Sequence, residues 1–179
     1  MLRNFIEKLA LPGFVAAIAA GAALAAAGDP APKLVGAETP VTTLEAEEVQ
    51  THAETLFRQA DLDKNGDLDR DEFAALSIVV AELSRLNGFV AILDGDSRSA
   101  APIAPAPSLT IADRIRIDAV AAREHAIAAG ADARLDLAEY VGLELNRFAA
   151  ADRNRNGVLK AGELFAYTHE TARIPSLNG

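Results

Sequence analysis

The sequence predicts an all-α protein in which helices frame two twelve-residue, oxygen-rich loops. Three observations carry this. About a fifth of the 179 residues are Ala, while aromatics make up only 5%; Ala is the best helix former and a poor strand residue, so a thin core spread over helices follows. Apolar residues recur at three- and four-residue spacing in several separate stretches. Residues 61–72 and 152–163 alternate Asp, Asn and Glu around a central Gly. The length allows one domain or two very small ones.

The first 27 residues read as a targeting segment. Arg3 and Lys8, partly offset by Glu7, lead an apolar run from Phe14 to Ala27 that only Gly21 interrupts. The run ends in Ala25-Ala26-Ala27, a small-x-small pattern suited to signal cleavage, and is shorter than the roughly 20 residues of a spanning helix. A cleaved secretory signal places the mature chain in the periplasm or outside the cell; an uncleaved N-terminal membrane anchor and an Ala-rich soluble helix are the alternatives. Cleavage would remove Arg3, Glu7 and Lys8 and leave a chain more acidic than the full-length −9.

Residues 28–42, with Pro and Gly but no apolar period, read as a flexible linker. Thr42 and Glu45 form a capping-box signal for a first helix to Ala60, with Leu44, Val49, Ala53, Leu56 and Phe57 on one face. A second helix runs from Arg70 to Leu86 on Phe73, Leu76, Val80 and Leu83. Asn87-Gly88 ends it, or Phe89, Val90, Ile92 and Leu93 prolong it past a kink. Residues 94–108, with Pro102, Pro105 and Pro107, read as a second loop. Helices over 109–129, 137–150 and from Ala161 toward Pro175 complete a set of five, with no strand longer than a residue or two and a tail at 173–179.

The chemistry sits in the loops. Asp61, Asp63 and Asn65 occupy positions 1, 3 and 5 of the first, where alternating side-chain oxygens converge on one point. Gly66 at position 6 takes a turn that a Cβ would obstruct. Asp67 at position 7 lends its backbone carbonyl, Asp69 at position 9 coordinates directly or through water, and Glu72 at position 12 reaches back with both carboxylate oxygens. Leu68 at position 8 suits a short β-bridge between paired loops. Phe57 and Phe73 flank the loop.

The second loop repeats the pattern with Asp152, Asn154, Asn156, the carbonyl of Val158 and Glu163, around Gly157 and Leu159. Lys160 at position 9 cannot coordinate, so a water takes its place. Charge separates the loops. Asp61, Asp63, Asp67, Asp69, Asp71 and Glu72 against Lys64 and Arg70 give −4; Asp152 and Glu163 against Arg153, Arg155 and Lys160 give +1. Ligand charge tunes affinity in such loops, so the first is expected to bind Ca2+ more tightly than the second.

Two weaker echoes exist. Leu135-Asp136-Leu137-Ala138-Glu139-Tyr140 aligns with Leu68-Asp69-Arg70-Asp71-Glu72-Phe73, which defines a degenerate loop from Ala128 to Glu139. Ala128 and Gly130 stand where ligands 1 and 3 should be. This loop is expected to have lost its ion and to supply the β-bridge partner of Leu159. Leu109 to Asp113, with Asp94 and Asp96, hints at a fourth hand with an insertion; the alternative is a Pro-rich connector.

The loop residues resemble the EF-hand superfamily, the calmodulin-like group, and within it the small exported EF-hand proteins of bacteria. The resemblance implies a helix-loop-helix array over 43–172, with hands in possible pairs 44–114 and 115–172, two complete calcium loops and one or two degenerate hands. It implies a calcium sensor or buffer; a calcium-stabilised structural module of the cell envelope, with an unidentified protein partner, is the alternative. Lanthanide binding is a minor alternative, and Leu62 and Arg153 stand where the lanthanide-selective relatives carry Pro.

Acidity disfavours nucleic acid as a partner. Zero Cys excludes disulfides, thiolate zinc sites and Cys nucleophiles. His52, His125 and His169 are far apart and read as surface or helix-end residues. No motif supports enzymatic activity. The single Met is the initiator, which weighs against a Met-rich target groove of the sensor kind.

Overall fold

The computed structural model describes residues 39–94 and 97–174. The targeting segment, the linker through residue 38, Asp96 and the tail from residue 175 lie outside the described residues. Five helices appear among them: α1 (Ala46–Ala60), α2 (Arg70–Asn87), α3 (Ile111–Ala128), α4 (Leu137–Ala151) and α5 (Gly162–Thr171). Seven strands accompany them: β1 (Thr39–Pro40), β2 (Thr43–Glu45), β3 (Asp67–Leu68), β4 (Phe89–Asp94), β5 (Ser97–Pro102), β6 (Leu135–Asp136) and β7 (Val158–Lys160).

Four of the five described helices start where oxygen-bearing side chains take up free backbone N–H groups. Asp69 caps α2 and Asp136 caps α4, each answered by a Glu three residues on that accepts from the cap's own N–H. Thr110 and Asp113 do the same for α3. The first helix starts later than the sequence suggested: Thr43–Glu45 are extended in β2, and the box is Glu45–Glu48, with Glu48 Oε2 accepting from Glu45 N–H at 2.7 Å.

Two expectations are corrected. The first is the absence of longer strands. Gly88 at φ +77 ends α2, as Asn87-Gly88 suggested, and Phe89–Asp94 then pairs antiparallel with Ser97–Pro102 over six residues, in place of the alternative helix extension and the expected loop. β1 joins β5 in parallel and Val41 N–H donates to the Ala100 carbonyl at 2.8 Å, so the last residues of the supposed linker are held in a three-stranded sheet. Asp94 closes β4, and the insertion-bearing fourth hand is therefore a hairpin followed by a connector.

The second correction concerns loop pairing. Leu135 pairs with Leu68, and Leu159 pairs with Leu44. The expected Leu135–Leu159 bridge was geometrically barred. The two loops share α4, whose 15 residues span about 22 Å at 1.5 Å per residue, so they lie at its opposite ends. Both bridges cross the boundary between the pairs 44–114 and 115–172 suggested above.

These bridges reveal an internal repeat. Leu44 and Leu68 are separated by 24 residues, as are Leu135 and Leu159. Each half is thus a bridge strand, a 15-residue helix and a second bridge strand, and the halves pair head to tail with α1 packed on α4. One core lies at each end. Under the Leu68–Leu135 bridge sit Ala53, Phe57, Phe73, Leu76, Ala121 and Tyr140, with Tyr140 6.0 Å from Phe57 and edge-on to Phe73 at 6.2 Å. Under the Leu159–Leu44 bridge sit Val49, Val90, Ile92, Phe148, Leu164 and Tyr167.

One histidine holds the hairpin and another the segment that follows it. His52 of α1 accepts from Leu93 N–H at 3.1 Å, and His169 of α5 accepts from Ala104 N–H at 3.2 Å. His52 is buried in mid-helix, contrary to the surface or helix-end reading, while His125 is at a helix end, in the last turn of α3, and is buried there. Arg173, counted with the tail, closes on Glu124 of α3 with two hydrogen bonds. No described helix is long and apolar enough to cross a membrane.

Candidate metal centre

The loop between α1 and α2 folds around its own side chains. Asp61 follows directly on α1 and its two oxygens accept from the N–H groups of Asn65 and Gly66, both at 3.1 Å. Asp63 Oδ1 accepts from Asn65 N–H at 3.1 Å, and Asn65 Oδ1 accepts from Asp67 N–H at 2.8 Å. Lys64 and Gly66 take left-handed conformations, at φ +59 and +88; the second is where the sequence has its glycine. Glu72 reaches back from the first turn of α2 to accept from Leu62 N–H at 2.9 Å and Asp69 N–H at 3.1 Å.

This brings one carboxylate oxygen from each of Asp61, Asp63 and Glu72 within 4.8 Å of one another, the one such grouping of metal-binding side chains among the described residues. Unit negative charges about 5 Å apart repel by about 1 kcal/mol per pair even in water, and a cation between them removes that cost. The donor set is all oxygen, with Asn65 alongside, which suits a hard divalent ion and no soft one. The carboxylate of Asp67 turns away to Arg134, at 3.0 Å, which leaves its carbonyl for the role expected of position 7. Asp69 spends its carboxylate on capping α2 through Asp71 and Glu72 N–H.

The loop between α4 and α5 has nearly the same frame. Asp152 accepts from Asn156 and Gly157 N–H, Asn154 accepts from Asn156 N–H, and Asn156 accepts from Val158 N–H at 2.8 Å. Arg155 and Gly157 repeat the two left-handed positions. Glu163 accepts from both the backbone and side-chain N–H groups of Asn154. With only two carboxylates, the loop holds less negative charge for an ion. It also exits differently. Lys160 cannot cap a helix, so α5 begins without a side-chain cap and the chain passes through Ala161 at φ +44.

The degenerate loop keeps its exit half. Asp136 and Glu139 make the cap, Asp132 Oδ1 accepts from Arg134 N–H at 3.2 Å, and Ala133 at position 6 is held at φ +58, where the other loops have Gly. Its entry half is Ala128-Ala129-Gly130 and offers no side-chain oxygen. Sequence reasoning missed a second remnant: Leu44, Glu45 and Glu48 reproduce positions 8, 9 and 12 before α1. The signal available was the 24-residue stagger to Leu68, Asp69 and Glu72.

One histidine ties the first loop to its scaffold. His125 Nε2 lies 2.9 Å from the Leu68 carbonyl and packs against Phe73, so α3 holds the bridge strand from below. Arg70, at the loop's exit, pairs with Asp71 and reaches Asp118 of α3 at 2.9 Å.

An EF hand family model matches residues 53–77, the segment from α1 through the first loop into α2. Neither the curated proteins nor the solved structures give a match.

Proposed function

We propose that this protein binds calcium, more tightly at 61–72 and more weakly at 152–163. The observation that carries the first site is the convergence of Asp61, Asp63 and Glu72 in the segment matched as an EF hand. The parallel frame around Asp152, Asn154, Asn156, Val158 and Glu163 supports the second. Calcium titration by calorimetry of the chain and of its Asp61→Ala and Asp152→Ala variants tests this. Asp61→Ala is expected to abolish the tighter event and Asp152→Ala the weaker one. Tighter binding at 152–163 with the first loop disabled would overturn the order of affinities.

Between sensor and buffer, the packing favours a buffer or a calcium-stabilised module. A sensor must expose apolar surface when the ion binds. Here β4 lies between α1 and α2, and its Val90 and Ile92 are buried in the neighbouring core. A dye that reports apolar exposure is expected to stay unchanged on calcium addition; a marked rise supports the sensor. Export rests on the N-terminal segment alone, and fractionation of a tagged full-length chain tests it.

A further inference from the structure

We infer that Arg134 sets the ion affinity of the 61–72 loop, acting as a counter-charge that the degenerate loop delivers across the β-bridge; the inference rests on the calcium reading of that loop. Leu68 faces Leu135 and Asp67 faces Asp136 in the ladder. One residue beyond it, Arg134 reaches diagonally to Asp67, its Nη1 3.0 Å from Oδ2. The backbone beneath this side chain is fixed twice, by the Asp132 turn and by the left-handed Ala133 before it. A loop that has lost ligands 1 and 3 has no ion to justify a strained turn, yet the turn survives and aims a guanidinium at its partner.

The target is chosen with equal economy. Asp67 is a carboxylate of the first loop that does not ligate, because position 7 offers its carbonyl; the other, Asp71, is already paired with Arg70. It therefore adds negative charge beside the ion without donating to it. Arg134 cancels that charge while touching none of the converging oxygens of Asp61, Asp63 and Glu72. Arg70 does not reach Asp67: it pairs with Asp71 and Asp118 on the exit side. The degenerate hand is thereby more than a scaffold. It holds the affinity of its neighbour below what the neighbour's own acids would give.

The test uses the full chain carrying Asp152→Ala, so that one loop is read, with Arg134→Ala, Arg134→Glu and Arg134→Lys added singly. At about 10 mM ionic strength, where the Debye length is about 30 Å, Arg134→Ala is expected to tighten calcium binding about threefold and Arg134→Glu about tenfold. Arg134→Lys keeps the charge and stays near the starting value. In about 1 M salt, with a Debye length of about 3 Å, the differences vanish. La3+ used as a trivalent probe should show a logarithmic shift about 1.5 times that of calcium, because the Coulomb energy scales with ion charge. A purely structural role predicts the reverse: weaker binding, no dependence on salt or ion charge, and a lower melting temperature of the calcium-free protein. Unchanged or weakened affinity at low salt overturns the inference while leaving the calcium reading intact. No calcium binding at 61–72 in any of these chains overturns both.

Discussion

At the Leu68–Leu135 end, four helices enclose the core: α1 and α2 from one hand, α3 and α4 from the other. At the Leu159–Leu44 end, α4 and α5 meet a bare bridge strand and the end of α1, and the hairpin β4–β5 stands where a second hand would bring its helix. The loops above these cores are alike in backbone and different in charge. One end has a partner loop, a capped 18-residue exit helix and a buried His125 under its bridge. The other has half a partner, an uncapped 10-residue exit helix and a hairpin pinned by an imidazole. The lesson is that two loops of like backbone can stand on unlike supports, so that their tolerance of acid and substitution should differ.

The largest difference should appear on acidification. His52 is buried, and that burial lowers its pKa from 6.5 to about 4; it also accepts from Leu93 N–H, which only the neutral ring can do. His169, which plays the same part on α5, is lowered by burial too. Glu144, Arg147 and Arg173 line the same cleft as His52. Because the unfolded chain takes up the proton first, the stabilisation is complete above about pH 6.5, falls as pH drops toward 4, and falls no further below that. The His52 contribution lost is about 2 kcal/mol by pH 5 and about 3 kcal/mol by pH 4. Tyr167 sits in the hairpin core, and Tyr140 sits in the four-helix core, where it also lines the His52 cleft. Urea unfolding of the calcium-free chain should show this loss between pH 6.5 and 4, and His52→Gln should flatten the pH dependence. A His52→Gln chain with the pH dependence of wild type would sink the idea that this imidazole on the hairpin carries the acid sensitivity.

Lys160→Asp addresses the next contrast. At position 9 of the first loop Asp69 caps α2 and, on the calcium reading, stands beside the ion; Lys160 can do neither at the second. Restoring the carboxylate should tighten calcium binding at 152–163 about tenfold and add about 1 kcal/mol to the stability of the calcium-free chain through the cap. Calorimetry reads the first effect and urea unfolding the second. A gain in affinity without a gain in calcium-free stability would separate the two roles and reject the cap.

What was legible in the sequence follows from where the information is local. Asp61 to Glu72 could be read because ligand spacing, turn glycine and cap all fall within twelve residues. The five helices were readable from apolar spacing and Ala content. The hairpin was not: Phe89-Val90-Ala91-Ile92-Leu93 is an apolar run that suits either a helix or a buried strand. Its partner Ser97–Pro102 has two Ala and a Pro, poor strand formers that only tertiary contact with β4 and β1 makes extended. The pairing of loops was within reach and misjudged, because a shared helix between Leu135 and Leu159 already placed them apart. Buried His52 and His125 carry no local signal, since their roles depend on a strand and a carbonyl 41 and 57 residues away.

The smallest effect tests how far the degenerate loop has drifted from its working neighbour. Gly66 and Ala133 occupy the same position 6 with φ of +88 and +58, and an L-residue pays roughly 1–2 kcal/mol for that region. Ala133→Gly should relieve most of this but loosen the unfolded chain, leaving a net gain of about 0.5–1 kcal/mol. Gly66→Ala, the mirror change in the first loop, should lose a similar amount in the calcium-free chain, and more with calcium present because the loop must then close on an ion. Urea unfolding of the two variants with chelator and with calcium checks the pair. If Ala133→Gly destabilises, the left-handed turn in the degenerate loop is held by contacts that the residue's own methyl group supplies, and the equivalence of the two positions is lost.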